Sequence, residues 1–137
     1  VRFRDVLVNN PFYWEITWLA HQGVTTGFPD GTFNYLGSVN RDAMAAFLYR
    51  SAGSPSWTPP ALSPFVDVPV GSQFYREITW LAAQGVTTGY PDGTYRPTSP
   101  VARDAMAAFL YRFAGRPAVS LPPSSPFTDV PTSNQFY

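Results

Sequence analysis

Gly85-Val86-Thr87-Thr88-Gly89-Tyr90-Pro91-Asp92-Gly93-Thr94-Tyr95 has a twin 62 residues upstream, Gly23-Val24-Thr25-Thr26-Gly27-Phe28-Pro29-Asp30-Gly31-Thr32-Phe33. Pro-Asp-Gly is turn chemistry: proline presets φ, and glycine supplies a backbone conformation that other residues resist. The same offset holds in both directions from this loop. Phe3-Arg4-Asp5-Val6 returns as Phe65-Val66-Asp67-Val68 and again as Phe127-Thr128-Asp129-Val130. Tyr13, Tyr75 and Tyr137 keep it, as do Trp18 with Trp80 and Arg41 with Arg103. Between the first two copies 37 of 62 positions are identical without a gap, so the chain is a repeat array. Two copies are full and a third opens. The sequence starts inside a repeat and stops partway into another, which reads as a piece of a longer array.

Each copy has one grammar. Phe12, Ile16, Leu19 and Ala20 fall on one helical face, so residues 12–22 are expected to be a helix that Gly23 ends. Phe74, Ile78, Leu81, Ala82 and Gly85 repeat that pattern. After the loop a second helix is expected over residues 41–52, with Met44, Phe47 and Leu48 as its stripe, and over 103–114 with Met106, Phe109, Leu110 and Phe113. Asp42 and Asp104 sit in the first turns, where a carboxylate suits the helix dipole. Asn40 is a good N-cap and Ala102 a poor one, leaving Ser99 or Asp104 to help in the second copy. The organisation is therefore repeat 1 (residues 1–53), a linker (54–63), repeat 2 (64–115), a linker (116–125) and the start of repeat 3 (126–137). Both linkers are rich in proline and serine and are expected to be extended and exposed. The fold class is all-α, as tandem helix-loop-helix units. One such unit cannot bury two apolar stripes alone, so neighbours must stack.

Composition narrows the function. The chain is 45% hydrophobic and 17% aromatic but only 13% charged, with zero formal net charge. A phosphate-binding surface needs a basic surplus, which argues against a nucleic-acid partner. No run approaches the roughly 18 apolar residues of a membrane-spanning helix, so membrane insertion is not expected. All nine basic residues are arginine. That usage, with abundant alanine, proline and glycine, suggests a GC-rich bacterial genome. There is no cysteine, which removes disulfides and thiolate metal sites.

The order Phe-x-Asp-Val, an aromatic-containing helix, Gly-Val-Thr-Thr-Gly, Tyr-Pro-Asp-Gly-Thr-Tyr-x-Pro, then Val-x-Arg-Asp-Ala-Met resembles the S-layer homology repeat. The resemblance covers both full copies and the third opening. It implies a mostly helical domain, commonly of three repeats, with pseudo-threefold symmetry around a central helical bundle. It further implies a secreted cell-surface protein, of a kind found in GC-rich actinobacteria among others. Such repeats anchor larger proteins to secondary cell-wall polymers, often pyruvylated, through grooves between adjacent repeats. The family's Ile-Thr-Arg-Ala-Glu motif maps onto Val39-Asn40-Arg41-Asp42-Ala43 and Val101-Ala102-Arg103-Asp104-Ala105. The arginine is kept, whereas the threonine and glutamate are not. The lysines of family grooves have no counterpart, which leaves the wall polymer and its pyruvylation open.

Candidate ligand-binding residues follow. Arg41 and Arg103 begin a helix just after a glycine-rich loop, and a guanidinium can grip a carboxylate by two parallel hydrogen bonds. The alternative for each is a structural ion pair with Asp30, Asp92 or an aspartate of the next repeat. Gly27 and Gly89 offer backbone amides. Asp30 and Asp92 are polar loop groups that also suit turn formation. Trp18 and Trp80 are either sugar-stacking platforms or shared core. Asp5, Asp67 and Asp129 read as turn or cap acceptors. Catalysis is not expected: His21 lacks a counterpart, and single carboxylates such as Glu15 and Glu77 do not make the paired acids of a glycosidase. No cofactor or metal is expected, since Pro-Asp-Gly-Thr lacks the alternating oxygen ligands of a calcium loop. The expected partner is a wall polysaccharide with an acidic group. The rival is a self-assembling or protein-docking module, with self-association through the incomplete third repeat.

Overall fold

The computed structural model describes residues 2–137. Its elements are four short helices: α1 (Tyr13–His21), α2 (Arg41–Ser51), α3 (Tyr75–Ala83) and α4 (Arg103–Phe113). Among the described residues the only extended pairing is one antiparallel bridge between Asn40 and Pro100. The chain is thus all-α, with long ordered loops between helices.

Each repeat is closed by its own N-terminal segment rather than by helix contacts alone. The Asp5 carboxylate accepts the Phe33 and Asn34 N–H groups at 2.8 and 2.7 Å. Asp67 does the same for Tyr95 and Arg96, at 2.8 Å each. These aspartates, expected to serve local turns, instead clamp a loop 28 residues downstream. Phe3 and Phe65 then pack beneath the loop glycines. A Cβ on Gly27 would lie 2.4 Å from the Phe3 ring and one on Gly89 2.6 Å from the Phe65 ring, and both glycines have positive φ. Only glycine fits there. The helices of a repeat are tied as well: Arg50 donates to the Val24 carbonyl at 3.2 Å, and Arg112 to Val86 at 3.3 Å.

The main core lies between the repeats. Helix α2 packs on α3, the helix of the other repeat. Met44, Ala45, Leu48 and Tyr49 of α2 meet Ile78, Trp80 and Leu81 of α3 in one buried cluster. Ala45 and Ala46, fully buried, let the helices approach closely. Burying a side chain such as Ile78 or Leu81 contributes about 2 kcal/mol. Repeat 1 keeps only a small cluster of its own, formed by Phe3, Val6, Ile16 and Ala20.

The first linker carries no regular secondary structure and six of its ten residues, 54–63, are exposed, yet it is also tied down. It is a strap: Tyr49 and Tyr75 donate their hydroxyls to the Pro55 and Pro60 carbonyls at 2.6 and 2.8 Å. Trp57 donates its indole N–H to Thr79 at 3.1 Å and packs against the core. Prolines have no N–H but strong carbonyl acceptors, so a proline-rich segment can be held by tyrosines. The helix start also differs. Asn40 makes no side-chain cap. The first N–H groups of α2, from Arg41 and Asp42, donate instead to the Ser99 and Pro97 carbonyls of the next repeat, both at 3.0 Å. Residues 126–137 run through turns and bends.

Candidate functional site

Following α2 from its N-terminus, the site begins with Arg41. The residue is 6% exposed, and its guanidinium lies among three rings of repeat 2: Tyr95 at 4.7 Å, Tyr90 at 4.9 Å and Phe109 at 5.2 Å. Its Nε donates to the Tyr95 carbonyl at 2.6 Å, and the Tyr95 hydroxyl donates to the Arg41 carbonyl at 2.8 Å. Cation–π attraction is strongest where water is excluded, as here. Burial pushes the Tyr95 phenol well above its ordinary range, so it stays a neutral donor. Arg41 thus pairs with no aspartate; the ion pairs among the described residues are Arg4–Asp30 at 3.7 Å and Arg96–Asp92 at 3.3 Å. Its charge locks two repeats together and does not face solvent. Arg103, its twin, is exposed.

The other candidates divide the same way. Trp80 is 9% exposed and meets Tyr49 edge-on at 5.4 Å, whereas Trp18 is 60% exposed. The Gly27 and Gly89 amides donate to Thr25 and Thr87 hydroxyls, at 3.2 and 3.3 Å. The Asp30 carboxylate accepts from the Thr32 hydroxyl and backbone at 2.7 and 3.0 Å, and Asp92 likewise from Thr94 at 2.6 and 3.0 Å. Those threonine bonds, the hydroxyl first, hold both carboxyls below the usual carboxylate range. Both aspartates are turn formers, and they do not converge with the arginines.

What the fold does bring together is a cleft of about 600 Å³ along the seam between repeats 1 and 2. The loop from Thr25 to Pro29 and residues 33–40 form one wall, α2 forms the floor, and Gln73 and Phe74 form the far wall. The cleft's lining is aromatic at Phe28, Phe33, Phe47 and Phe74, and polar at Asp42 in the first turn of α2, at Arg50 in its last turn about 12 Å away, and at Gln73. Arg50 spends one donor on Val24, lies 5.9 Å from the Phe74 ring, and has no carboxylate in ion-pair range among the described residues. Four of its five N–H donors remain available. Phe74 itself has φ +60°, a left-handed conformation costly for a large side chain, whereas its twin Phe12 has φ −112°. Burial of the Phe74 ring against the core offsets that strain and sets the far wall. Arg50 and Gln73 carry no motif signal. Arg50 could have been found only from its recurrence as Arg112 and its place in the last turn of the helix.

A cleft with a guanidinium, a carboxylate, an amide and aromatic faces can bind a polar ring and orient an acidic substituent. Among the described residues no group of three or more His, Asp or Glu side chains is placed to hold a metal ion. No helix among the described residues is long and apolar enough to cross a membrane.

Residues 64–107 match the S-layer homology domain. Over 140 aligned residues, all of this chain, the sequence is 28% identical to a cellulosome-anchoring protein of Acetivibrio thermocellus, covering 31% of that protein. It is 31% identical over 107 residues to cell surface glycoprotein 1 of the same organism, covering 72% of this chain and 5% of that one. An outer membrane protein SlpA of Thermus thermophilus is 39% identical over 51 residues, 37% of this chain and 6% of its own. The chain therefore spans less than a third of the length of these curated relatives. Since repeat 2 carries the family match and repeat 1 follows it position by position, the chain belongs to the S-layer homology family as an array of its repeats.

Proposed function

We propose that the chain is a non-catalytic module that anchors a larger protein to the bacterial cell wall, by holding a wall saccharide in the cleft between repeats 1 and 2. The observation that carries this is the free Arg50 donors beside Phe74 in a solvent-open cleft that Gln73 and Asp42 also line. The relatives named as a cellulosome-anchoring protein and a cell surface glycoprotein support the anchoring role and a surface location. Arg50 addresses an acidic group of the sugar, which a pyruvate ketal or a uronate would supply. Asp42 and Gln73 bind hydroxyls, and Phe28 or Phe74 packs against the ring. One such site is modest, and retention on a polymer rises by avidity when several arrays or repeats engage it.

The test is co-sedimentation with purified wall sacculi. The chain should pellet with them, and Arg50→Gln should cut retention roughly tenfold while the fold persists by circular dichroism. If the chain stays in the supernatant while a known wall binder pellets, the reading fails.

A further inference from the structure

Four of the five non-glycine residues with positive φ among the described residues form repeat pairs: Asn34 with Arg96, at 57° and 59°, and Ser54 with Arg116, at 51° and 54°. Phe74, at 60°, has no such image. Its counterpart Phe12 has φ −112°, and Phe136 also has a negative φ. The turn around them is otherwise one structure in three copies. Asn10, Ser72 and Asn134 each donate their N–H to the carbonyl three residues back, at 2.9 Å. The carbonyl of each accepts the N–H of the tyrosine three residues on, at 3.0 to 3.1 Å. The ψ of Phe74 is 21° and that of Phe12 is 23°. With ψ alike and only φ reversed, the peptide between Gln73 and Phe74 is turned over, the change that separates a type II from a type I turn.

The residue two places earlier accounts for the split. The Asn10 Oδ1 accepts the Phe12 N–H at 2.9 Å, and the Asn134 Oδ1 accepts the Phe136 N–H at 2.8 Å. Ser72 makes no such bond, and the Phe74 N–H has no hydrogen-bond partner among the described residues. A serine side chain imitates this asparagine bond only weakly. A preceding helix is not the cause, since Phe136 follows α4 as Phe74 follows α2. The turned-over peptide needs a left-handed residue, which phenylalanine adopts only under strain, and strain of this kind collects at binding sites. Gln73 and Phe74 both line the cleft, whereas Ser72 does not.

We propose that Ser72 sets the polarity of the cleft's far wall. An asparagine at that position keeps the N–H on the side of residue 72 and turns the Gln73 carbonyl the other way. Serine releases the N–H, the peptide turns over, and the Phe74 N–H faces the cleft as a free donor. It joins the open Arg50 donors, whose guanidinium lies 5.9 Å from the Phe74 ring. The ligand group that meets this wall is therefore an acceptor oxygen, such as the carboxylate of an acidic sugar. The opposite state offers a carbonyl there, which repels the same oxygen. This rests on the reading of the cleft as the saccharide site, and it adds the residue that selects the ligand's acceptor side.

Backbone NMR and co-sedimentation with wall sacculi test it together, on the full natural chain, Ser72→Asn and Ser72→Ala. The coupling between the Phe74 amide and Hα protons reads the turn, because it is larger at the φ of Phe12 than at that of Phe74. It should rise in Ser72→Asn and stay unchanged in Ser72→Ala, which cannot form the asparagine bond. Retention on sacculi should fall roughly tenfold in Ser72→Asn, the worth of one hydrogen bond to a charged group. It should stay within about twofold in Ser72→Ala. An unmoved coupling in Ser72→Asn overturns the role of Ser72. A raised coupling with full retention overturns the ligand donor and leaves the cleft reading intact. A natural chain that does not pellet fails the cleft reading and the donor with it, while the coupling still decides the turn.

Discussion

Arg41 and Tyr95, 54 residues apart, hold each other twice: the arginine Nε donates to the tyrosine carbonyl at 2.6 Å, and the tyrosine hydroxyl donates to the arginine carbonyl at 2.8 Å. The guanidinium lies 4.7 Å from the ring of the same tyrosine. The signature arginine of the repeat thus serves as an inter-repeat latch at this position, and the open seam beside it is left to other side chains.

Arg41→Ala should therefore destabilise the chain by about 2–4 kcal/mol, the range for losing a buried charge-assisted hydrogen bond with its packing. Arg103→Ala, exposed, should change stability by no more than about 0.5 kcal/mol. Urea unfolding at low protein concentration checks the pair. Equal effects would show that the two arginines occupy equivalent environments.

Tyr95→Phe isolates one half of the latch. It leaves the Arg41 carbonyl without its phenol donor in a buried place, at an expected cost of about 1–2 kcal/mol. The same unfolding assay reads it. A neutral result would mean that water reaches that carbonyl.

Trp80→Ala should cost about 3–5 kcal/mol, as large-to-small changes in a packed core do. Trp18→Ala, in the same motif but exposed, should cost under about 1 kcal/mol. Tryptophan fluorescence of each single variant gives a second readout, because loss of the buried indole removes the blue-shifted component.

Gly27→Ala tests the loop. The new methyl would meet the Phe3 ring and the Thr32 carbonyl oxygen 2.6 Å away, at a φ of +67°. The expected loss is about 2–3 kcal/mol, from strain and displacement of Phe3 together. Gly31→Ala has a positive φ but open space, and should lose only about 1 kcal/mol.

Acid should loosen repeat 1 through Asp5. Hydrogen bonds from the Phe33 and Asn34 amides, the Phe33 bond first, hold this carboxyl below its ordinary value of 3.8. A depressed folded pKa means that its stabilisation is complete above the unfolded value and is lost as pH falls through the folded one. The melting temperature should hold from neutral pH down to about 4 and drop below it. Asp5→Asn should melt lower at neutral pH and show a flatter profile under pH 4. A parallel profile would place the acid transition elsewhere.

The recurrence at 62 residues, the loop turns and the two apolar helix stripes were enough to determine a tandem all-α array and its family, because these depend on local periodicity and on turn residues with fixed backbone demands. They also set the helix bounds to within a residue or two. They could not say which copy of a repeated residue is buried. Arg41 and Arg103, Trp18 and Trp80, and Phe12 and Phe74 are the same residue types in the same local context, yet each pair splits between opposite environments. Burial is a property of the neighbour, and the neighbour of α2 is repeat 2, more than 30 residues away along the chain. The strap made by the first linker, the clamp from Asp5 to the loop and the cleft lined by Arg50 and Gln73 are likewise products of packing between segments distant in sequence. Only the tertiary structure decided them, because the energy that selects them comes from contacts that no local pattern encodes.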